Sequence, residues 1–558
     1  TIMYGELPTS PVVFAACDSA YFIEHAPAFV YSADDAMHDV HIHVINPTPE
    51  VLSLAGVLTA TTKMARLTLT YNDVDMFQEP FNGNNDKMRT FYACFRFIVA
   101  PEILQSAGKM LILDIDSIIM NKIEFPKKAL GYFPREPLAG TQGWEQEGTR
   151  VAAGAVYYDI SLMPAVKLVA DHMVHMPLKW FADQIVLSRI FGDMDDKLFH
   201  HFDSQFMDWE FIEGTTIWTG KGPRKYDNPT YVKQKDSYNT RLEDLNIFET
   251  VILKPRLDLP FKKFGLEVAN KQLPEIRTHW NNVVTEFIQG VTLIVEMPRW
   301  TFNNTIQNYF SDECVTYAPH VEKHNFKGND NTLYYMQTVF PWLFTVDPKG
   351  WAGGAEYVET FKPNEIETCG TSFDKLAKYV KSGGSKFAQP KTLKSGLPER
   401  FIFVPLQLPH DETIKWHSDV TVPEFVEKLC EWADSSEDNP MVLFKGHPVN
   451  LGVMEPLFNI IKQYKNVAYV NDISIQDAIS AAEATYVINS GVGQEAMLLD
   501  ASVVAFGRCD YQGAVIPGKI NDLDFTYDAV KHDDKEARKS LYRKWYKWYL
   551  ELTVDSNE

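Results

Sequence analysis

Few features of this sequence would anchor it in a bilayer or brace it with disulfides. Its 6 cysteines among 558 residues (Cys17, Cys94, Cys314, Cys369, Cys430 and Cys509) are scattered without a Cys-x-x-Cys pair. Neither a disulfide framework nor a cysteine zinc site is therefore expected. No run approaches about 18 uninterrupted apolar residues, so no membrane-spanning helix is expected. The opening TIMYGELPTSPVVFAACDSAYF lacks a basic segment followed by an apolar one, and no secretory signal is read there. These absences point to a cytoplasmic protein with reduced, mostly buried thiols. Basic residues are in deficit: 53 Lys+Arg against 74 Asp+Glu leave a net charge of −21. That acidity argues against nucleic acid as the main partner, because binding its backbone needs a clustered positive surface.

What is present is the balance of an ordinary globular protein, 45% hydrophobic and 23% charged. At roughly 150 residues per domain the length suggests three or four units. Apolar runs at 12–17, 40–45, 66–71 and 110–116 read as strands, and the spacing from Met88 to Ile103 reads as a helix. With further strands at 131–133 and 151–159 and a helix near 181–191, residues 1–285 read as an α/β domain with a mainly parallel sheet and a connector. Residues 286–395, opening at VTLIVEM (291–297), read as a first Rossmann-like half, ending in the Gly-, Ser-, Pro- and Lys-rich stretch 381–400. Residues 396–530 alternate strand and helix regularly as a second Rossmann-like half, and 531–558 form a C-terminal amphipathic helix.

The chemistry-bearing pattern of the first part is LILDIDSII. On a strand, residues i and i+2 face the same side, so Asp114 and Asp116 are expected to point together from the sheet's C-terminal edge, where open α/β sheets bind ligands. Paired hard oxygen donors there suit Mg²⁺ or Mn²⁺ bridging a diphosphate. Lys221, Arg224 and Lys225 make a basic cluster, with glycines that let the backbone approach a phosphate.

In order, these segments resemble the GT-A glycosyltransferases of the glycogenin-like family 8 group over about residues 10–230. The strand end Cys17-Asp18, with Tyr21, matches where that family seats the nucleotide base. MRTFYACFRFIVAPEIL (88–104) matches its tyrosine- and arginine-bearing helix, with Arg89 and Arg96 as candidate donor contacts. VAAGAVYYD (151–159) resembles its small-residue strand, and Asp183-Gln184 its pair beside the anomeric carbon. In IWTGKGPRK (217–225), Gly220 and Lys221 fit loosely, while the metal-binding histidine is replaced by Trp218 or absent. His200, His201 and Asp203 are then the nearby candidates for a third ligand. The resemblance implies transfer from a UDP-sugar, with Asp114 and Asp116 holding Mn²⁺ or Mg²⁺.

Residues 290–520 carry four segments placed after strands. PLQLPHDET (405–413) offers Gln407, His410 and Asp411; KGHP (445–448) offers Lys445 and His447. INSGVGQEA (488–496) offers Asn489, Ser490 and Gly493 before a helix whose free N–H groups favour an anion, and AFGRCDYQGAV follows at 505–515. Together they resemble the nucleotide-binding half of GT-B enzymes, especially capsule-type Kdo transferases. That likeness implies Asp411 as a reacting carboxylate and His447 and Ser490 as phosphate contacts, with a CMP- or other nucleotide sugar as donor. Asp347 and Trp351 fall in a candidate acceptor-side loop.

The expected whole is a bifunctional glycosyltransferase acting on a glycan or lipid-linked acceptor. Two alternatives stand beside it: one active GT-A module with a C-terminal scaffold, and a virus-type DNA-modifying glycosyltransferase. Leu541, Trp545, Trp548 and Leu552 recur at helical spacing beside Lys539, Arg543 and Lys547. That helix either braces the C-terminal module or touches an anionic membrane surface peripherally.

Overall fold

The computed structural model describes residues 3–136, 148–255, 261–263, 266–268, 274–297, 303–367, 371–390, 396–448 and 451–556. Cys369 and the end of the basic stretch, 391–395, lie outside the described residues. The chain forms two compact units, Thr1–Leu273 with Gln289–Cys314, and Pro274–Ile288 with Val315–Glu558.

In the N-terminal unit the strands Leu67–Asn72, Val40–Ile45, Val12–Asp18 and Lys109–Leu113 lie side by side and parallel, in that spatial order. Both faces of this sheet are covered, which is why its strands are near-continuous apolar runs rather than alternating ones. Val13, Ile42, Leu111 and Ile112 are fully buried, each stabilising the unit by roughly 1.5–3 kcal/mol. Antiparallel strands Val151–Asp159 and Leu130–Pro134 extend the sheet beyond Lys109–Leu113. In chain order the parallel strands read 3-2-1-4. The sequence of neighbours therefore reverses between Val12–Asp18 and Lys109–Leu113.

The strand Thr292–Met297, expected to open a second unit, forms where it was read. It pairs in parallel with Thr250–Pro255, and it buries Leu293, Val295 and Met297. The Met297 side chain fits over Gly56 of the helix Pro49–Thr61, where a Cβ would lie 2.9 Å from its Sδ.

The second unit contains an all-parallel sheet of Phe401–Pro405, Met441–Lys445, Val467–Val470, Ala484–Val487, Val503–Ala505 and Ile516–Pro517. Their spatial order is 3-2-1-4-5-6, the order of doubly wound dinucleotide-binding folds. Residues 315–347 are not a strand–helix alternation. Within them Thr332–Gln337 pairs in parallel with Val315–Pro319 and antiparallel with Leu343–Asp347.

The C-terminal helix, Lys535–Leu552, buries Tyr542, Trp545, Tyr546 and Tyr549 in the core that holds Leu376, Val380, Met497 and Val503. Leu541, Trp548 and Leu552 are partly buried on the same core. The Trp545 indole N–H donates to the Asp510 carbonyl at 3.1 Å and the Tyr546 hydroxyl to the Gln494 carbonyl at 2.6 Å. The apolar face read as available to a membrane is thus used inside the unit. Among the described residues no helix is long and apolar enough to cross a membrane.

One polar feature is built into the N-terminal core. His41 Nδ1 lies 2.8 Å from Thr68 Oγ1, His41 Nε2 2.9 Å from Thr70 Oγ1, His43 Nδ1 2.9 Å from Thr70 Oγ1, and His43 Nε2 2.8 Å from Asn72 Oδ1. Because Asn72 Oδ1 only accepts, His43 Nε2 donates. Each threonine hydroxyl then donates to a Nδ1, and all four ring nitrogens are satisfied with both rings neutral, while Asn72 Nδ2 is buried without a partner. Burial pushes His43 down to about 4 and His41 well below its usual value. The unfolded chain takes up these protons below pH 6.5, so the neutral pair stabilises fully above that pH and less as pH falls toward 4. The double variant His41→Gln/His43→Gln is expected to lose less stability than the parent between pH 6.5 and 4 in urea melts. Identical acid limbs would contradict this.

Candidate active site

The two aspartates of the N-terminal motif do not lie on a strand. Lys109–Leu113 ends before them. Asp114, Ile115 and Asp116 form a turn closed by the Ser117 N–H on the Asp114 carbonyl at 3.0 Å, after which Ser117–Ile119 begins. The period-two expectation fails for that reason, and each carboxylate has its own cation. Asp114 pairs with the buried Arg96 guanidinium, which also reaches Asp183 Oδ2 at 3.5 Å. Asp116 Oδ2 accepts from Lys225 Nζ at 2.9 Å.

Burial disfavours the Arg96 charge, but Asp114 and then Asp183 more than offset it. Burial, then the charge of Asp114, disfavours the Asp116 carboxylate, and Lys225 opposes both. Lys225 is itself raised, since Asp116 and the Tyr21 hydroxyl outweigh its burial. Gly220 makes this packing possible: its N–H donates to the Asp116 carbonyl at 3.1 Å. A Cβ there would sit 2.9 Å from the Tyr231 hydroxyl and 3.0 Å from both Asp116 O and Lys225 Cβ.

The other expected residues fall around this centre unevenly. Asp18 caps the helix Ser19–Asp35, accepting from the Tyr21 N–H at 2.8 Å. The Tyr21 hydroxyl accepts from Lys225 Nζ at 3.1 Å. Cys17 is buried, with its thiol pushed up by that burial. Asp183 begins the helix Ala182–Gly192 and accepts from the Gln184 N–H at 2.8 Å; burial raises it and Arg96 opposes that rise. Gln184 Oε1 accepts from Arg135 Nη1 at 2.9 Å, a contact absent from the sequence reading. Lys221 Nζ lies 4.6 Å over the Trp209 ring, and burial, followed by Arg135, lowers its proton affinity. Arg89, on the same helix as Arg96, is exposed.

The donor set does not fit a divalent ion as it stands. Both carboxylates are ion-paired, and an added cation would lie within a few ångströms of a fixed ammonium and guanidinium. Asp116 Oδ1 is buried without a partner and Arg96 pairs with only one oxygen of Asp114, which leaves two carboxylate oxygens where such ions take six or more donors. Of the candidate third ligands, His201 pairs with Asp196 at 3.1 Å. His200 stacks edge-on against Phe202, and Asp203 accepts from the Gln205 N–H at 3.0 Å within a turn. Trp218 buries its ring and donates to the Ile212 carbonyl at 3.0 Å. Among the described residues no three His, Cys, Asp or Glu side chains gather as a metal-binding set.

In the second unit the strand order reverses between Phe401–Pro405 and Ala484–Val487, and there the expected residues do meet. Gln407 Nε2 donates to Asn489 Oδ1 at 2.9 Å, and the Asn489 N–H returns to Gln407 Oε1 at 3.2 Å. Asn489 Nδ2 reaches the Thr413 carbonyl at 2.8 Å, and the Thr413 hydroxyl donates to Asp411 Oδ1 at 2.9 Å. His447 is half-buried; burial lowers it while Asp411 pulls the other way. Lys445 is buried, with Nζ on the Asn471 carbonyl at 3.1 Å. The helix after Ser490 is short, Val492–Leu498, and its first N–H is capped by Ser490 Oγ at 3.2 Å. The Gly493 and Gln494 N–H groups bond to the Ser490 and Gly491 carbonyls. The free N–H array expected there is therefore turned inward. Gly493 packs against the Tyr511 ring, where a Cβ would collide with its hydroxyl.

Asp347 organises its loop, accepting from the N–H groups of Lys349, Gly350, Glu356 and Tyr357 at 2.8–3.0 Å. The sequence reading missed a buried pair beside it. His417 Nε2 lies 2.6 Å from Glu322 Oε1, with the Trp351 ring 5.4 Å from the imidazole. The partners are 95 positions apart in the chain, which leaves no spacing signal.

Residues 356–547 match the family model described as capsule polysaccharide biosynthesis protein. Protein FixF of Sinorhizobium fredii (strain NBRC 101917 / NGR234) is 27% identical over 198 residues, 33% of this chain and 44% of that protein. The chain thus spans less than half the length of that relative. Among solved structures, a beta Kdo 2,7 transferase, Thermosulfurimonas dismutans KpsC, aligns at 15% identity over 48% of this chain and 81% of that one, with a TM-score of 0.32. The galactosyltransferase LgtC, with donor and acceptor sugar analogs, aligns at 16% identity over 41% and 95%, with a TM-score of 0.28.

The Arg96 ion pairs carry a stability expectation. Arg96→Met leaves Asp183 buried without its cation and is expected to cost about 3 kcal/mol or more in urea unfolding. Arg89→Met, at an exposed position, should stay within about 0.5 kcal/mol. Equal effects of the two would contradict this assignment.

Proposed function

We propose that this chain is a glycosyltransferase, moving a sugar from a nucleotide sugar to a hydroxyl of a glycan or lipid-linked acceptor in polysaccharide assembly. The observation that carries the reading is the placement of Arg135 and Lys221. Among the described residues neither is ion-paired, and each feels one of the two carboxylates that Arg96 joins into a group: Arg135, whose Nη1 donates to Gln184 Oε1 at 2.9 Å, feels Asp183, and Lys221 feels Asp114. That group stands where the strand order reverses, the position at which open α/β sheets bind ligands. Two cations that no carboxylate among the described residues holds in an ion pair suit the two charges of a diphosphate diester.

In the proposed reaction the bond between the anomeric carbon and the diphosphate oxygen breaks. The acceptor oxygen forms the new bond and gives up its proton to the departing diphosphate oxygen. Arg135 and Lys221 meet the charge that grows on the leaving diphosphate. Asp183 and Gln184, held by Arg96 and Arg135, face the sugar and set its orientation. Cys17, Asp18 and Tyr21 form the wall next to the base.

The second unit is read as a second donor site, with Asp411 as the reacting carboxylate and His447, Lys445 and Ser490 beside the donor's phosphate. The network from Gln407 through Asn489 to Asp411 at its strand reversal supports this. Hydrolysis of a panel of nucleotide sugars by the full chain tests both readings. Lys221→Ala is expected to raise the KM for one donor about tenfold or more and to spare a second donor. Asp411→Asn is expected to do the reverse, through kcat. Loss of the same activity in both variants would contradict two sites, and no hydrolysis of any donor would contradict the function.

A further inference from the structure

The Asp114–Asp116 turn has the residue types of a metal-bridged diphosphate site but not the arrangement. Lys225 comes from the short helix Arg224–Asp227, 109 residues beyond Asp116. Its ammonium is fixed by three contacts: Asp116 Oδ2 at 2.9 Å, the Tyr21 hydroxyl at 3.1 Å, and the Tyr21 ring face at 4.8 Å. The aromatic face and the carboxylate together hold a cation at one point. Asp114 is likewise matched by Arg96. The segment after the strand Ile217–Thr219 brings a lysine to this turn, and its ring-bearing residue, Trp218, is a buried indole with no metal-binding lone pair.

We propose that Lys225 stands as a built-in cation in the place a divalent ion would take against Asp116, and that the N-terminal unit binds nucleoside diphosphates without a metal. The inference rests on the donor-site reading above. Arg135 and Lys221 then contact the diphosphate directly, while Arg96 and Lys225 neutralise the carboxylates that would otherwise repel it. A fixed ammonium needs no loading and does not leave with the product. The cost is that its field cannot be strengthened by drawing the leaving group into a coordination shell.

The test is calorimetric titration of the full chain with UDP, in EDTA and in manganese, alongside Lys221→Ala to mark which heat belongs to the N-terminal unit. The expected result is a Lys221-dependent affinity that agrees within about twofold between the two buffers. Manganese paramagnetic resonance on the nucleotide-free protein should show no bound ion that Asp116→Asn removes. Lys225→Met should weaken UDP binding in EDTA about tenfold or more; should that variant not fold, the wild-type comparison decides alone. Manganese tightening the Lys221-dependent binding tenfold or more, or an Asp116-dependent manganese signal, would overturn the inference while leaving the donor site in place. Absence of Lys221-dependent UDP binding in both buffers would overturn the donor-site reading as well.

Discussion

The constraint on which both units depend is the reversal of strand order beside the first strand of each parallel sheet. Crossover helices leave to opposite faces on the two sides of such a point, so the loops following the two central strands are held apart and a crevice opens between them. In the N-terminal unit the flanking strands are Val12–Asp18 and Lys109–Leu113. Asp18 and Tyr21 therefore face the Asp114–Asp116 turn across the gap. In the C-terminal unit the flanking strands are Phe401–Pro405 and Ala484–Val487, and the gap is spanned by the paired amides of Gln407 and Asn489. The apolar strands and their covering helices fix these positions. The chemistry then follows from which side chains the loops carry.

Electrostatics divides the labour within the first crevice. Four cations of an acidic chain gather here, and carboxylates hold two of them, Arg96 and Lys225. Arg96 couples Asp114 to Asp183, and so ties the end of the central strand to the start of the helix that bears Gln184. Lys225 couples Asp116 to Tyr21, and so ties the same turn to the first helix. Buried pairs of this kind add little net stability compared with apolar packing, yet removing one partner is severe. Here they fix the positions of the groups they join, and in the proposed donor site Arg135 and Lys221 are the cations that meet the ligand.

Much of the fold was legible from hydrophobic runs. The strands at 12–17, 40–45, 401–405 and 441–445 emerged because buried parallel strands are apolar on both faces. The Asp-x-Asp and Gln-x-x-x-Asp segments stood out as candidates because charge at the end of an apolar run is conspicuous. What was not legible depends on contacts distant in sequence. Asp114 and Asp116 were read as strand neighbours, but the strand stops one residue before the first of them. Lys225 was seen as one member of a basic cluster, and its partner 109 residues away was invisible to spacing. Arg89 and Arg96 look alike on a helical wheel, and only packing chooses Arg96. The aromatic residues of 535–552 advertised an amphipathic helix without saying what would cover it. Tyr542, Tyr546 and Tyr549 turn out to be core.

The central claim is that a nucleoside diphosphate sits at the first strand reversal, against side-chain cations. A crystal structure of the full chain with UDP, grown in a chelator, tests it most directly. The account predicts diphosphate density within hydrogen-bonding reach of Lys221 and Arg135, with Lys225 still on Asp116. Density for the nucleotide elsewhere in the N-terminal unit, or a diphosphate there that makes no contact with either cation, would contradict it.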